Sequence, residues 1–242
     1  GGTKRDDVGD RSAEFLAEYS QVLTGVYEQE KAGKVSGEYL DMQEDWSATE
    51  TMELLIANPG ELGGKRMQYL MANSDKAMEI TGASSFVMTM QQAIIGHYMK
   101  ESGERKLPEV ADIANTYKQY GGGMTQRLID HYTMLRAEQM QDNDAYVPAA
   151  VKYYGTYGSD SPMELNSVAW TIFESSDNEA HLKQALAWAK KSVEMEPGYA
   201  NMDTLAWLYD KTGDKKMAKE TATAAIELAK KDGQDYSETA KI

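Results

Sequence analysis

Few side chains in this 242-residue chain could do chemistry, and their spacing argues against most reactions. Cysteine is absent, which forbids thiolate nucleophiles, thiol–disulfide exchange and cysteine-ligated zinc or iron–sulfur clusters by this chain acting alone. His97, His131 and His181 each lack a glutamate three residues earlier, so the Glu-x-x-His spacing of di-iron bundles is missing, as is His-Glu-x-x-His. They are expected on helix surfaces or partly buried. Fifteen methionines could suggest soft-metal capture, but without a tight Met-x-x-Met series they read as fillers of irregular gaps between helices. Gly121-Gly122-Gly123 lacks the Gly-Lys-Ser/Thr needed to cradle phosphate and reads as a flexible inter-helix turn. Glu101 with Glu104, and Glu109 with Asp112, share helix faces and read as solvated carboxylates. No catalytic residue, cofactor site or metal-ligand set is assigned, and the chain is expected not to be an enzyme.

Aromatic residues carry more information. Tyrosine outnumbers phenylalanine 15 to 3, and Tyr153, Tyr154 and Tyr157 cluster around a glycine. Tyrosine buries its ring while keeping a polar tip, so this cluster suits either a surface that stacks on carbohydrate or peptide, or ordinary helix packing. Trp170 and Trp207 recur at equivalent places in a repeat described below and are expected to pack in its core.

The elements that position these residues read as helices nearly everywhere. Only 5 prolines interrupt the chain, and apolar residues recur at spacings of three and four. Phe15, Leu16, Tyr19, Val22, Leu23, Val26 and Tyr27 form one stripe, opened by Asp10 and closed at Gly33. Ser47 with Glu50 predicts a capping box, and Asn58-Pro59-Gly60 ends the helix that follows. Further stripes run through Met67, Leu70 and Met71, and from Phe86 to Tyr98 before Gly103. Helices are predicted near 107–120 and 124–140, and another from Asp144 to Gly155. Ser161-Pro162-Met163-Glu164 combines an N-cap serine, proline at the first helical position and glutamate three residues after the cap, which starts a helix. The short polar link before it is the best internal boundary, although such links also suit continuous stacking. The predicted organisation is therefore a linker or expression scar over 1–9, a helical-hairpin region over 10–160 and a repeat region over 161–242.

Within that last region Val168-Ala169-Trp170 matches Leu205-Ala206-Trp207, while Ala185 matches Ala218 and Val193 matches Ile226. The first spacing is 37 and the second 33, so four extra residues are expected in the first inter-helix turn. Pro197 ends the first copy. This pattern, with Leu205, Ala206 and Tyr209 in the first helix of the second unit and Ala218 and Ala225 in its second, resembles the tetratricopeptide repeat. The fold class read from the sequence is all-α: a right-handed stack of helical hairpins, or α-α superhelix, ending in two TPR-like repeats.

A wider resemblance rests on the ends of the chain. Leu165-Asn166-Ser167-Val168-Ala169-Trp170, Asn201-Met202-Asp203-Thr204-Leu205-Ala206 and Lys230-Lys231-Asp232-Gly233-Gln234-Asp235-Tyr236-Ser237-Glu238-Thr239 resemble the C-terminal tail of thioredoxin-family proteins of Bacteroidetes. Asp10-Arg11-Ser12-Ala13-Glu14-Phe15-Leu16 is similar to the start of the helical region that follows their thioredoxin domain. The resemblance implies an exported, periplasmic protein whose Cys-x-x-Cys domain lies upstream in the same polypeptide. This chain would then be an accessory region for protein or peptide partners, dimerisation or positioning of the redox site. The alternative expectation is a free-standing TPR-like protein of the cell envelope that binds glycan or peptide.

Charge narrows the partners further. Lys plus Arg number 25 against 39 Asp plus Glu, a formal net charge of -14. Binding to nucleic acid or anionic lipid depends on basic residues, so neither is expected as a partner. No apolar run approaches the roughly 20 residues that span a bilayer.

Overall fold

A computed structural model of the protein describes residues 29–242. Among these residues there are twelve α-helices and no strand, so the chain is all-α. The stripe from Phe15 to Tyr27 and the linker over 1–9 lie outside the described residues. No helix among the described residues is long and apolar enough to cross a membrane.

The chain divides into two compact units. The first comprises, among the described residues, 29–106 together with Asn115–Thr125; the second comprises Leu107–Ala114 and Gln126–Ile242.

In the first unit, helices α1 (Gln29–Asp41), α2 (Thr49–Ala57), α3 (Lys65–Ala72), α4 (Ser74–Thr81) and α5 (Ala83–Ser102) gather around Leu40, Met52, Leu55, Met67, Leu70, Phe86, Met90 and Ile94, all essentially without exposure. Four of the methionines, Met52, Met67, Met71 and Met90, are buried here, as expected of a flexible side chain filling gaps between short helices. Helix α6 (Val110–Tyr120) brings in Tyr117, whose hydroxyl meets the buried Gln91 side chain.

Two expected stop signals behave differently. Helix α1 runs through Gly33 instead of ending there, and its glycines face partners that need the room: a β-carbon on Gly37 would lie 3.3 Å from the Arg66 guanidinium. The Ser47 capping box does not form. The helix starts one residue later than read: Ala48 is the N-cap of α2 and has no polar side chain to cap with, while Ser47 Oγ, one residue outside the helix, donates to Asp45 Oδ2 at 2.9 Å.

The triple glycine is also not a loose turn. Gly122–Met124 form one turn of 3-10 helix between α6 and α7 (Thr125–Gln139), and Gly121 is buried. A β-carbon on Gly121 would lie 2.6 Å from the Tyr117 carbonyl oxygen and 2.8 Å from Thr125 Oγ1, whereas one on Gly123 would meet nothing within 4 Å. Gly121→Ala is therefore expected to destabilise the protein by about 1–3 kcal/mol through overpacking. Gly123→Ala should leave the denaturant midpoint near wild type. Equal midpoints for the two variants would contradict this packing.

The second unit stacks α8 (Asn143–Tyr157), α9 (Pro162–Ser175), α10 (Glu179–Met195), α11 (Tyr199–Lys211) and α12 (Lys215–Asp232) on part of α7. Helix α8 continues past Gly155 and stops before Gly158, at φ 68°. The Ser161 cap forms as read: its hydroxyl accepts from Glu164 N at 3.2 Å. Ser159 completes the box as a relay, accepting from Ser161 N at 2.9 Å and donating to Glu164 Oε2 at 2.9 Å. Residues on both sides of this link share one core, which runs from Met134 and Tyr146 through Leu165, Ile172 and Ala185 to Leu205 and Ala218. The link thus lies inside the second unit.

The two hairpins α9–α10 and α11–α12 correct the expected long turn. Their inter-helix turns, Ser176–Asn178 and Thr212–Asp214, have the same length, because α10 starts earlier relative to Ala185 than α12 does relative to Ala218. The extra residues become about one turn of helix, which keeps the apolar face in phase because 3.6 residues complete a turn. Asn178 caps that added turn, accepting from Ala180 N at 2.9 Å and His181 N at 3.2 Å. Ala185, Ala206 and Ala218 are fully buried, Leu205 and Tyr209 nearly so, and Pro197 is exposed just beyond α10. Ala206→Leu should cost about 1–3 kcal/mol by forcing helices apart. A melting temperature equal to wild type would refute the placement of Ala206 at a close helix crossing.

Candidate aromatic interaction surface

Trp170 and Trp207 leave the core and stand half-buried on α9 and α11. This corrects the expectation that both would be core residues. Two spacings assemble the surface. The repeat sets a tryptophan at the same place on two helices that pack together, and the three-residue step from Trp170 to Phe173 puts a second ring on the same face of α9. Phe173 then lies between the tryptophans: its centroid is 5.0 Å from Trp170, with planes tilted by 33°, and 6.0 Å from Trp207, tilted by 43°.

A cation sits on the central ring. Lys211 Nζ is 5.3 Å from the Phe173 centroid, donates to the Phe173 carbonyl at 2.7 Å and pairs with Asp177 Oδ1 at 3.0 Å. Lys211 is one helical turn beyond Trp207, so the same face of α11 supplies both the ring and the ammonium group.

Asp203, one turn before Trp207, holds the other side. It accepts a hydrogen bond from Thr239 Oγ1 at 2.6 Å. With the Thr239 hydrogen committed to the carboxylate, Tyr199 OH donates to Thr239 Oγ1 at 2.9 Å. Burial pushes the Asp203 carboxyl above its ordinary pKa, against the opposing pull of the Thr239 hydrogen bond and the neighbouring Trp207 side chain. The chain's last turn, Thr239–Lys241, is thereby tied to α11 at Asp203 and Tyr199.

The expected tyrosine cluster is mostly interior. Tyr153 and Tyr154 are 3% and 8% exposed, and they pack edge-on to each other with centroids 5.2 Å apart. His131 lies 5.1 Å from Tyr153, and Trp188 lies 5.7 Å from Tyr154. Burial raises the pKa of both phenols. Only Tyr157 is half-buried, with Arg127 over its ring at 5.2 Å and its hydroxyl on Asp130 Oδ2 at 3.2 Å. For Tyr153 and Tyr154, packing wins over a binding surface, because α8 turns its tyrosine face toward α9 and α10.

The remaining candidates fall as single side chains. His97 stacks edge-on to Tyr120 at 5.4 Å, and His181 Nδ1 lies 3.1 Å from Ser176 Oγ. His131 is buried, and desolvation with the nearby Arg127 lowers its pKa to about 4. Glu101, Glu104, Glu109 and Asp112 are exposed, with Glu109 paired to Arg136. Among the described residues no group of three or more histidines and carboxylates is arranged to hold a metal ion.

The first unit carries a separate groove of about 760 Å³ that includes Trp46, Tyr69, Pro59, Arg66, Asp45 and Glu61. Trp46 meets Tyr69 edge-on at 5.3 Å and is fixed by donating to the Leu40 carbonyl at 2.9 Å. Neither this groove nor Phe173 and Lys211 was singled out from sequence. The three-residue step from Trp170 to Phe173 was the available signal.

No protein-family model, curated protein or solved structure matches the chain.

Proposed function

We propose that this chain is a non-catalytic helical interaction domain serving a thioredoxin-family thiol–disulfide oxidoreductase, with the Trp170–Phe173–Trp207 face as its contact surface. One observation carries the proposal: three large rings stay half-buried on neighbouring helices although the same unit buries Tyr132, Tyr146, Tyr153, Tyr154 and Trp188 to 8% exposure or less. Large amphipathic aromatics held rigidly at a surface are the side chains that dominate protein recognition. The two hairpins that present them are read as TPR-like units, in line with the repeated Ala-Trp pairs. Because the chain contains no cysteine, thiolate attack belongs to another domain. The end motifs at Asp10–Leu16 and Lys230–Thr239 favour an upstream thioredoxin-like domain and an exported, periplasmic location. Tethering would then raise the effective concentration of a protein client at the redox centre without new chemistry.

The second reading is a free-standing envelope protein that binds glycan or peptide. The groove holding Trp46 and Tyr69 favours it, since an aromatic wall beside polar groups suits sugar rings. Reading the gene upstream of Gly1 separates the two. An in-frame Cys-x-x-Cys domain supports the accessory role; a lipoprotein signal alone transfers support to the binder.

A further inference from the structure

We infer that the Trp170–Phe173–Trp207 face binds a lysine- or arginine-bearing segment of a partner protein, an inference that rests on the reading of this face as an interaction surface. The protein already displays the mode of recognition on itself. Lys211 lies over the central ring and is fixed by Asp177 and the Phe173 carbonyl, so an ammonium group, a ring face and a carboxylate form one unit. Such cation–π contacts strengthen when the partner is partly desolvated.

The flanking rings repeat two of those ingredients. Glu174 lies one turn beyond Trp170 on α9 and is exposed. Asp203 and Asp210 lie one turn before and after Trp207 on α11. Against these carboxylates and Asp177, the face offers Lys211, and Lys215 at 2.7 Å from Asp210 Oδ1. The rim is therefore net acidic within an acidic protein, which repels acidic partners and accelerates encounter with basic ones.

Tryptophan fluorescence of the full chain should be titrated with a short alternating lysine–glycine peptide, its glutamate–glycine counterpart and a serine–glycine peptide of equal length. The lysine peptide is expected to bind, more weakly as salt rises, and Trp170→Ala should weaken it about tenfold, the equivalent of one cation–π contact of about 1.4 kcal/mol. Glu174→Gln, an exposed change that leaves the fold intact, should weaken it as well. Lysine-peptide binding unchanged in both variants would overturn the proposal, showing only general attraction to an acidic chain. Glutamate or serine peptides bound at Trp170 in preference to lysine would overturn the basic specificity while keeping the interaction surface. Failure of all three peptides to bind would count against both.

Discussion

Replacing Asn201 with leucine is expected to remove about 3 kcal/mol of folding stability, because its buried amide makes three hydrogen bonds, each contributing about 1 kcal/mol. Asn201 is 7% exposed and closes the turn between α10 and α11. Its Nδ2 donates to the Glu196 carbonyl at 2.8 Å and to Ser192 Oγ at 3.0 Å, while Oδ1 accepts from Gly198 N at 2.9 Å. Ser192 Oγ in turn donates to the Pro162 carbonyl at 2.7 Å, so one amide links α11 through α10 to the start of α9. Leucine matches the volume but satisfies none of these groups. Ser192→Ala removes a smaller part of the same network and should cost about 1 kcal/mol. Urea unfolding of both variants checks the order; a leucine variant as stable as the alanine one would contradict the network.

The second large effect is linked to pH. His131 is held neutral in the fold, with its pKa lowered to about 4 from an ordinary 6.5 by desolvation first and by Arg127 second. Between those values the unfolded chain binds a proton that the folded chain does not. Stability from this site is therefore complete above pH 6.5 and is lost as pH falls toward 4, by about 3 kcal/mol in total at 1.36 kcal/mol per pKa unit. His131→Phe keeps a ring against Tyr153 but cannot titrate. Its stability should fall less steeply than wild type through that window, and parallel stability–pH curves would show that His131 is not buried as described.

How much of this was legible in the sequence depends on what periodicity can report. Stripes of apolar residues located the helices because a helix must hide one face whatever covers it, and Ser161 announced α9 because its cap is a local bond. Ser47 carried the same local signal and failed, since the helix starts one residue later, with Ala48 at its N-cap, and the Ser47 amide and hydroxyl turn back to Asp45 outside it. Gly33 looked like a stop only because its cross-helix neighbour Asn58, 3.2 Å from a built β-carbon, is distant in sequence. The same limit explains the aromatic site. Trp170 and Tyr153 both sit on apolar stripes, but which stripe is covered depends on how helices stack. Helices α9 and α10 pack on α8 and bury Tyr153, while Trp170 is only partly covered. The repeat identified the two tryptophans as equivalent without saying whether their shared position faced inward.

The central proposal, that the aromatic face recruits protein clients for a linked redox domain, is tested most directly by disulfide-reduction rates of a polypeptide joining this chain to a thioredoxin-like domain and carrying Trp170→Ala and Glu174→Gln. Two substrates are needed: a small disulfide reagent and a folded protein with a reducible disulfide. The account predicts equal rates on the small reagent and a lower rate than wild type on the protein client, because only the client can use a second contact site. Unchanged rates on both substrates would contradict it.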